Sequence, residues 1–261
     1  MGSLDNRIAL VTGGGRGIGR AIALALAKEG ADIAVSSRSK AELDAVCREA
    51  EKMGRRAYAV TCDAMDGPKT KEMVDDVARH FGRLDILYNV AGGVVGEIEK
   101  LLTLTHDDKL FEDNVFLNLT SAYYATRAAL PHMVKQDYGR VVFIGSGYAK
   151  TGGGAIAYTA AKHALIGLMR AMAYQVPPTI TINTLCPGWT DTKLANDYFE
   201  TGAKAFGVEA AALKAMAEAD NIQKRLVQPE ELGPMAALIV SEVGGRAITG
   251  QVISVDGGYK V

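Results

Sequence analysis

The 261-residue sequence predicts one α/β domain, a doubly wound parallel sheet of seven strands with helices on both faces. Three observations predict it. Short apolar runs alternate with longer stretches whose apolar residues recur at helical spacing. The first run ends in a glycine-rich turn that opens a helix, the setting of a dinucleotide loop. Finally, 48% hydrophobic and 23% charged residues suffice for one large core, with no internal repeat, low-complexity tract or linker to divide it.

Ile8–Val11 is the first strand, and Thr12-Gly-Gly-Gly-Arg-Gly-Ile-Gly19 follows it. Ile18, Ala21, Ile22, Ala25 and Leu26 then recur at helical spacing as far as Gly30. Glycines permit positive φ and let backbone N–H groups approach a pyrophosphate at the helix N-terminus, where the dipole favours anions. Gly13, Gly15, Arg16, Gly17, Ile18 and Gly19 are therefore candidate cofactor contacts; taken alone, the loop also reads as an ordinary tight turn.

A second strand, Asp32–Ser36, leads through Ser37 and Arg38 to a helix opened by the capping box Ser39-x-x-Glu42 and closed near Gly54. The turn after this strand is where an acidic residue would bind the ribose 2′-hydroxyl of NAD. Asp32 stands at the wrong end of the strand and Asp44 is already inside the helix. Ser37 and Arg38 instead offer a hydroxyl and a planar cationic fork suited to a 2′-phosphate, with Arg16 adding charge. The expected cofactor is NADP(H) in preference to NAD(H). Arg38 stacked on adenine would be compatible with either.

Ala57–Cys62, the third strand, delivers Asp63 and Ala64 to the adenine end, although Asp63 also suits a helix cap. Pro68 fits the first turn of a helix ending at Gly82. The fourth strand, Leu84–Tyr88, runs into Asn89, Val90, Ala91, Gly92 and Gly93, a small-residue turn with room for a ribose. Strands alternating with helices imply parallel pairing, right-handed crossovers and a ligand at the strand C-termini.

A long helical stretch follows the capping pattern Thr105-x-x-Asp108 towards Leu130-Pro131, carrying Asn118 either into the site or onto a neighbouring carbonyl. Arg140–Ile144 is the fifth strand and presents Ser146 at its end. Tyr158 and Lys162, four apart among good helix formers, share one helix face. Bringing a phenol from about 10 to about 7 takes roughly 4 kcal/mol. A cation about 4 Å away supplies that order of energy at an effective dielectric of about 20. Lys162, helped by a cationic cofactor ring, is thus expected to make Tyr158 a general acid/base, against the alternative of a solvated surface pair.

Thr179–Leu185 is the sixth strand, followed by Cys186-Pro-Gly-Trp-Thr-Asp-Thr192. An insertion over 189–225, with Trp189, Tyr198, Phe199 and a helical run from Val208 to Ala219, reads as a mobile lid. Pro234 falls inside a helix expected over 229–240 and would kink or restart it. Gln251–Val255 is the last strand, at a sheet edge.

A net charge of −1 gives no electrostatic basis for binding nucleic acid or an anionic membrane, which leaves a small molecule as the partner. Cys47, Cys62 and Cys186 suggest neither a disulfide framework nor a metal site, so no metal is expected and a reducing, cytoplasmic setting fits. The opening residues lack a basic and apolar leader pattern, and no stretch reaches the roughly 18 apolar residues of a membrane span.

These ordered motifs together resemble the short-chain dehydrogenase/reductase family, with its single-domain Rossmann fold, from Thr12 to Gly258. The glycine loop is similar to its T-G-x-x-x-G-x-G, and Asp63 matches its adenine-contact position. Asn89-Val-Ala-Gly92 resembles N-N-A-G with Val90 in place of the second asparagine. Asn118, Ser146, Tyr158 and Lys162 resemble its catalytic tetrad. Pro187, Gly188, Thr190 and Thr192 fall in a segment similar to the one contacting the nicotinamide carboxamide and pyrophosphate. The resemblance implies a ketone and secondary alcohol interconverted by hydride transfer. In it, Ser146 and Tyr158 bind the carbonyl oxygen, Lys162 bonds the nicotinamide ribose, and Asn118 holds a water linking Lys162 to solvent. Substrate contacts are expected from Gly93, Val94, Tyr148, Lys150 and Trp189, with Lys150 either facing an anionic substrate or, more simply, solvated on its loop, and Trp189 serving as pocket wall or lid anchor.

The segments CPGWTDTKL and LVQPEELG are similar to 3-hydroxybutyrate dehydrogenases, whereas the Arg38 turn is more like 3-oxoacyl-carrier-protein reductases. An NADPH-dependent ketoreductase is the leading expectation. The alternatives are an NAD-dependent 3-hydroxybutyrate-type alcohol dehydrogenase, a sugar-nucleotide epimerase or dehydratase, and a catalytically silent cofactor-binding regulator. By resemblance, helices near 105–130 and 155–174 would pair in a homodimer or homotetramer.

Overall fold

The protein is described by a computed structural model over residues 2–101 and 107–260, the side chains of residues 98 and 99 excepted. Thr105 of the expected capping pattern lies outside these residues. Seven parallel strands, β1 (Ile8–Thr12), β2 (Asp32–Ser37), β3 (Ala57–Thr61), β4 (Ile86–Asn89), β5 (Gly139–Ile144), β6 (Ile180–Pro187) and β7 (Val252–Val255), lie in the order β3-β2-β1-β4-β5-β6-β7. The register aligns Thr12 of β1 with Ser36 on one side and Asn89 on the other. Strand order reverses between those neighbours, so a crevice opens at their C-terminal ends.

The central strands β1, β4, β5 and β6 are buried along their whole length, as continuous apolar runs in a sheet covered on both faces should be. Alternation sends their side chains to two cores. Ala9, Val11, Val142 and Ile144 meet α1 (Gly17–Lys28), α2 (Lys40–Lys52) and α10 (Gly233–Val240) through Ile22, Leu43 and Ile239. Ile8, Leu10, Val141 and Phe143 meet α3 (Gly67–Phe81), α6 (Ser121–Lys135) and α7 (Ile156–Ala173) through Val77, Ala129 and Leu165. Two covered faces force every ligand contact to the strand ends.

Several local expectations are corrected. Ser39 caps α2 by accepting the Glu42 N–H at 3.5 Å, but its own N–H goes to Ser37 Oγ at 3.3 Å. The Glu42 carboxylate instead faces Arg16 at 3.6 Å, leaving the capping box half formed. Asp66, not Asp63, caps α3. A short α4 (Ile98–Leu101) precedes the stretch expected as one helix to Pro131, which itself divides into α5 (Asp108–Val115) capped by Asp107, a π turn over Phe116–Thr120, and α6. Pro131 sits inside α6 and does not end it. Pro234 restarts rather than kinks: a 3-10 turn over Pro229–Leu232 gives way to α10, in whose first turn a proline costs no helical bond. The 189–225 insertion holds α8 (Lys193–Phe206) and α9 (Ala210–Ala219), joined by Gly207 at φ 65° around a small core of Phe199, Ala195, Ala217 and Leu226.

Candidate active site

A cleft of about 1090 Å³ runs along the strand C-termini. At its dinucleotide end Gly13 has φ +66°, and a Cβ there would sit 2.9 Å from Ala91 N. A Cβ on Gly19 would lie 2.2 Å from the Gly13 oxygen. Backbone packs directly on backbone here, which only glycine permits. Arg16 provides no side-chain cap to α1 and the first turn holds no acidic residue, so the helix N-terminus meets the cleft with its dipole uncompensated. Thr12 Oγ1 accepts the N–H groups of Val90 and Ala91 at 3.1 and 3.2 Å, tying this loop to the turn after β4.

Gly15, Gly17, Ile18, Ser37 and the exposed Arg16 and Arg38 line the same end, with Asp63 and Ala64 beyond. Asp63 Oδ1 accepts the Met65 N–H at 3.0 Å. Asn89 donates from Nδ2 to Thr126 Oγ1 at 2.9 Å, while its buried Oδ1 has no partner among the described residues. Pro187, Gly188, Thr190 and Thr192 line the opposite lip, Thr192 also capping α8 through the Ala195 N–H at 3.3 Å.

At the other end Ser146, Tyr158 and Lys162 converge. Ser146 caps the 3-10 turn after β5, its Oγ accepting the Tyr148 N–H at 3.2 Å. Lys162 Nζ donates to Ile144 O at 2.9 Å and lies 5.5 Å from the Tyr158 ring centre. A Cβ on Gly92 would stand 3.0 Å from Asn118 Oδ1 and 3.4 Å from Lys162 Nζ, so Gly92 is the gap through which these two side chains meet. Asn118 has its amide committed to Gly93 and to the Asn114 oxygen, which fixes the turn beside Lys162.

Burial dominates the electrostatics of this pair in the chain alone. Burial pushes the Tyr158 phenol above its ordinary pKa, and the Ser146 hydroxyl beside it acts in the opposite direction. Burial also lowers the Lys162 ammonium to about 8. The lysine charge does not by itself make the phenol easy to ionise, because that charge is costly in the same dry pocket.

The family model for short chain dehydrogenases matches residues 7–203. The chain belongs to this family. It is 35% identical over 265 residues to the D-beta-hydroxybutyrate dehydrogenase of Cupriavidus necator, covering 98% of each chain. It is 33% identical to a variant of the actinorhodin polyketide ketoreductase solved with NADPH, with TM-score 0.90 over 100% of this chain and 99% of that one. A blue fluorescent protein from a metagenomic library, solved in complex with NADPH, is 30% identical with TM-score 0.85 over 99% of this chain and 100% of the other.

As a short-chain dehydrogenase, the protein is an NAD(P)-dependent oxidoreductase acting on a small molecule. The uncapped α1 N-terminus, the glycine cradle and the unpartnered Asn89 Oδ1 fit a dinucleotide. Gly93, Val94, Tyr148 and Trp189, expected as substrate contacts, line the cleft. Lys150 does not: its Nζ is held by Ser254 Oγ and by Asp256 Oδ2 at 3.0 Å, away from the cleft. Its expected role toward an anion is therefore corrected to a tie between the Ser146 loop and the segment after β7. Tyr198 of the expected lid lines the cleft, and so do Tyr259 and Leu117, which the sequence did not point to. Tyr259 packs on Gly147, where a Cβ would be 2.3 Å from its ring; only the preceding Asp-Gly-Gly turn hints in the sequence that the chain folds back there. Among the described residues no helix is long and apolar enough to cross a membrane.

Proposed function

We propose that the protein is an NADPH-dependent ketoreductase interconverting a ketone and a secondary alcohol. The observation that carries this reading is the meeting of Ser146, Tyr158 and Lys162 at the mouth of a dinucleotide cleft whose far end holds Ser37 and Arg38 where an acidic residue would select NAD. Bound nicotinamide supplies or accepts the hydride. Ser146 Oγ and the Tyr158 hydroxyl bond the substrate oxygen and stabilise the charge that develops on it. Tyr158 gives that oxygen a proton in reduction and removes it in oxidation. Lys162, close to Gly92, binds the nicotinamide ribose and so fixes the distance between Tyr158 and the reacting carbon. Asn118 keeps the Gly92–Gly93 turn open for that contact. Gly13, Gly15, Gly17, Ile18 and Gly19 hold the pyrophosphate, Asp63 and Ala64 the adenine, Asn89, Ala91 and Gly92 a ribose, and Pro187, Gly188, Thr190 and Thr192 the carboxamide side.

A spectrophotometric screen of ketones and alcohols with both reduced and both oxidised cofactors tests the reading. Carbonyl-dependent loss of NADPH absorbance, faster than that of NADH, is the expected result. Absence of turnover in all four combinations would overturn it. In solution the protein is proposed to form a dimer or tetramer through α5, α6 and α7, measurable by light scattering.

A further inference from the structure

We infer that the substrate is a neutral ketone carried on or beside an aromatic ring. This rests on the ketoreductase reading and adds its substrate class. The substrate end of the cleft has one wall of rings. Tyr148 and Trp189 stand 6.3 Å apart at 85°, Trp189 and Tyr198 5.3 Å apart at 46°, and Tyr148 and Tyr259 5.8 Å apart at 76°. These edge-to-face and tilted arrangements are the ones in which ring quadrupoles attract. Phe199, 3% exposed, anchors the lid, whereas Trp189, Tyr148 and Tyr198 remain half-buried and line the cleft. Trp189 thus packs on the lid core and faces the cavity as well.

Tyr148 is fixed relative to the chemistry. Its backbone N–H binds Ser146 Oγ, and a Cβ on Gly154 would sit 3.2 Å from its ring. The glycines before α7 therefore allow an aromatic side chain to lie flat beside the catalytic loop. Val94, Val95, Leu117 and Leu194 also line the cleft and supply aliphatic surface. Packed rings together with branched aliphatics make an apolar slot, and a flat, apolar body gains most from filling it.

Charge excludes the other class of substrate. Among the described residues lining the cleft the cations are Arg16, Arg38, Lys162 and Lys193. The two arginines flank Ser37 at the dinucleotide end. Lys162 is bonded to Ile144, and Lys193 holds both carboxylate oxygens of Asp197 at 2.7 and 2.6 Å. Lys150 is engaged by Asp256 outside the cleft, and Lys260, whose Nζ lies 5.6 Å from the Tyr148 ring centre, faces Asp220 at 3.7 Å and is not among the residues lining the cleft. A short keto acid would bury its carboxylate against rings without a cation to meet it, an arrangement binding sites avoid.

The test compares 2-indanone, cyclopentanone and acetoacetate with NADPH and with NADH. The fused benzene ring is expected to raise kcat/KM for 2-indanone at least about tenfold over cyclopentanone, with acetoacetate below both. Trp189→Ala should remove about tenfold of the 2-indanone kcat/KM, chiefly through KM, and Trp189→Phe should restore most of it. Equal rates for the two cyclic ketones, or preference for acetoacetate, overturn the inference and leave the ketoreductase reading standing. Should none of the three be reduced, the ketoreductase reading loses support while the slot is still decided by fluorescence. Trp189 is the only tryptophan in the chain. Saturable quenching of its emission by 2-indanone but not acetoacetate supports the slot, and no quenching refutes it.

Discussion

Asn118 and Gly93 hold each other through both backbone groups of the glycine, the Gly93 N–H donating to Oδ1 at 3.0 Å and Nδ2 donating to the Gly93 oxygen at 2.8 Å. The π turn over Phe116–Thr120 sets Asn118, 1% exposed, at the position from which it reaches that backbone. A widened helical turn at a functional site is a recurrent use of this geometry. Replacing Asn118 by Leu leaves the Gly93 N–H and oxygen buried and unpaired, and should lower stability by about 2 kcal/mol. Urea unfolding of the two proteins measures it. Asn118→Leu should also lose most of its turnover, since the displaced turn is the one beside Lys162.

Tyr158→Phe keeps the ring and removes the proton. The expected loss in kcat is about 10³-fold, within the range for general acid catalysis, with NADPH affinity unchanged within about threefold. Stopped-flow hydride transfer and cofactor fluorescence titration check the two halves separately.

Arg38→Asp should reverse the cofactor preference by at least about tenfold in the kcat/KM ratio, because an acidic side chain repels a 2′-phosphate and accepts from a 2′-hydroxyl. Steady-state kinetics with NADPH and NADH provide the ratio. An unchanged ratio would show that the exposed guanidinium does not face the phosphate.

Lys162 ties stability to pH in a definite direction. Burial lowers it from 10.5 to about 8 in the folded protein. Below about 8 it is charged in both states, and the fold bears the cost of a buried ammonium. Between about 8 and 10.5 the unfolded chain binds the extra proton, so stability rises with pH by about 1 kcal/mol per unit. Above that window both forms are neutral and the gain is complete. Measured against Lys162→Met, which removes the ionisation, the wild-type protein should therefore gain relative stability from pH 8 to 10. A flat difference would mean that the ammonium is solvated.

Lys150→Ala should cost about 1 kcal/mol through loss of its bonds to Ser254 and the half-buried Asp256 pair, with KM for carbonyl substrates changed less than about twofold. Thermal unfolding and kinetics on the same preparation test it. A large rise in KM for acidic substrates alone would return Lys150 to the role expected of it from sequence.

What the sequence made legible has a common physical basis. All seven strands are found within a few residues of their expected places because buried parallel strands are unbroken apolar runs bounded by glycine, proline or charge. The glycine loop and the Tyr158–Lys162 pair are local spacings, readable without tertiary structure. Features that depend on a distant partner were not readable. Lys150 finds Asp256 from 106 residues away, and the π turn owes its position to a bond between Asn118 and Gly93 across a separation of 25. Pro131 looked like a helix end because a lone proline usually is one, yet α6 is packed against α3 and the sheet on both sides of it and continues. The upward shift of Tyr158 in the chain alone was not readable for a related reason: spacing along a helix places a cation nearby but says nothing of how dry the pair is.

The contact of Tyr259 with Gly147 makes the cleft a late product of synthesis. The phosphate loop leaves the ribosome early, but its helix α1 packs on α10 from the far end of the chain. The wall beside Ser146 likewise stays unfinished until β7 has joined the sheet edge and the segment beyond it has folded back. A nascent chain should accordingly complete its grip on nucleotide and on substrate together, as its last elements are released.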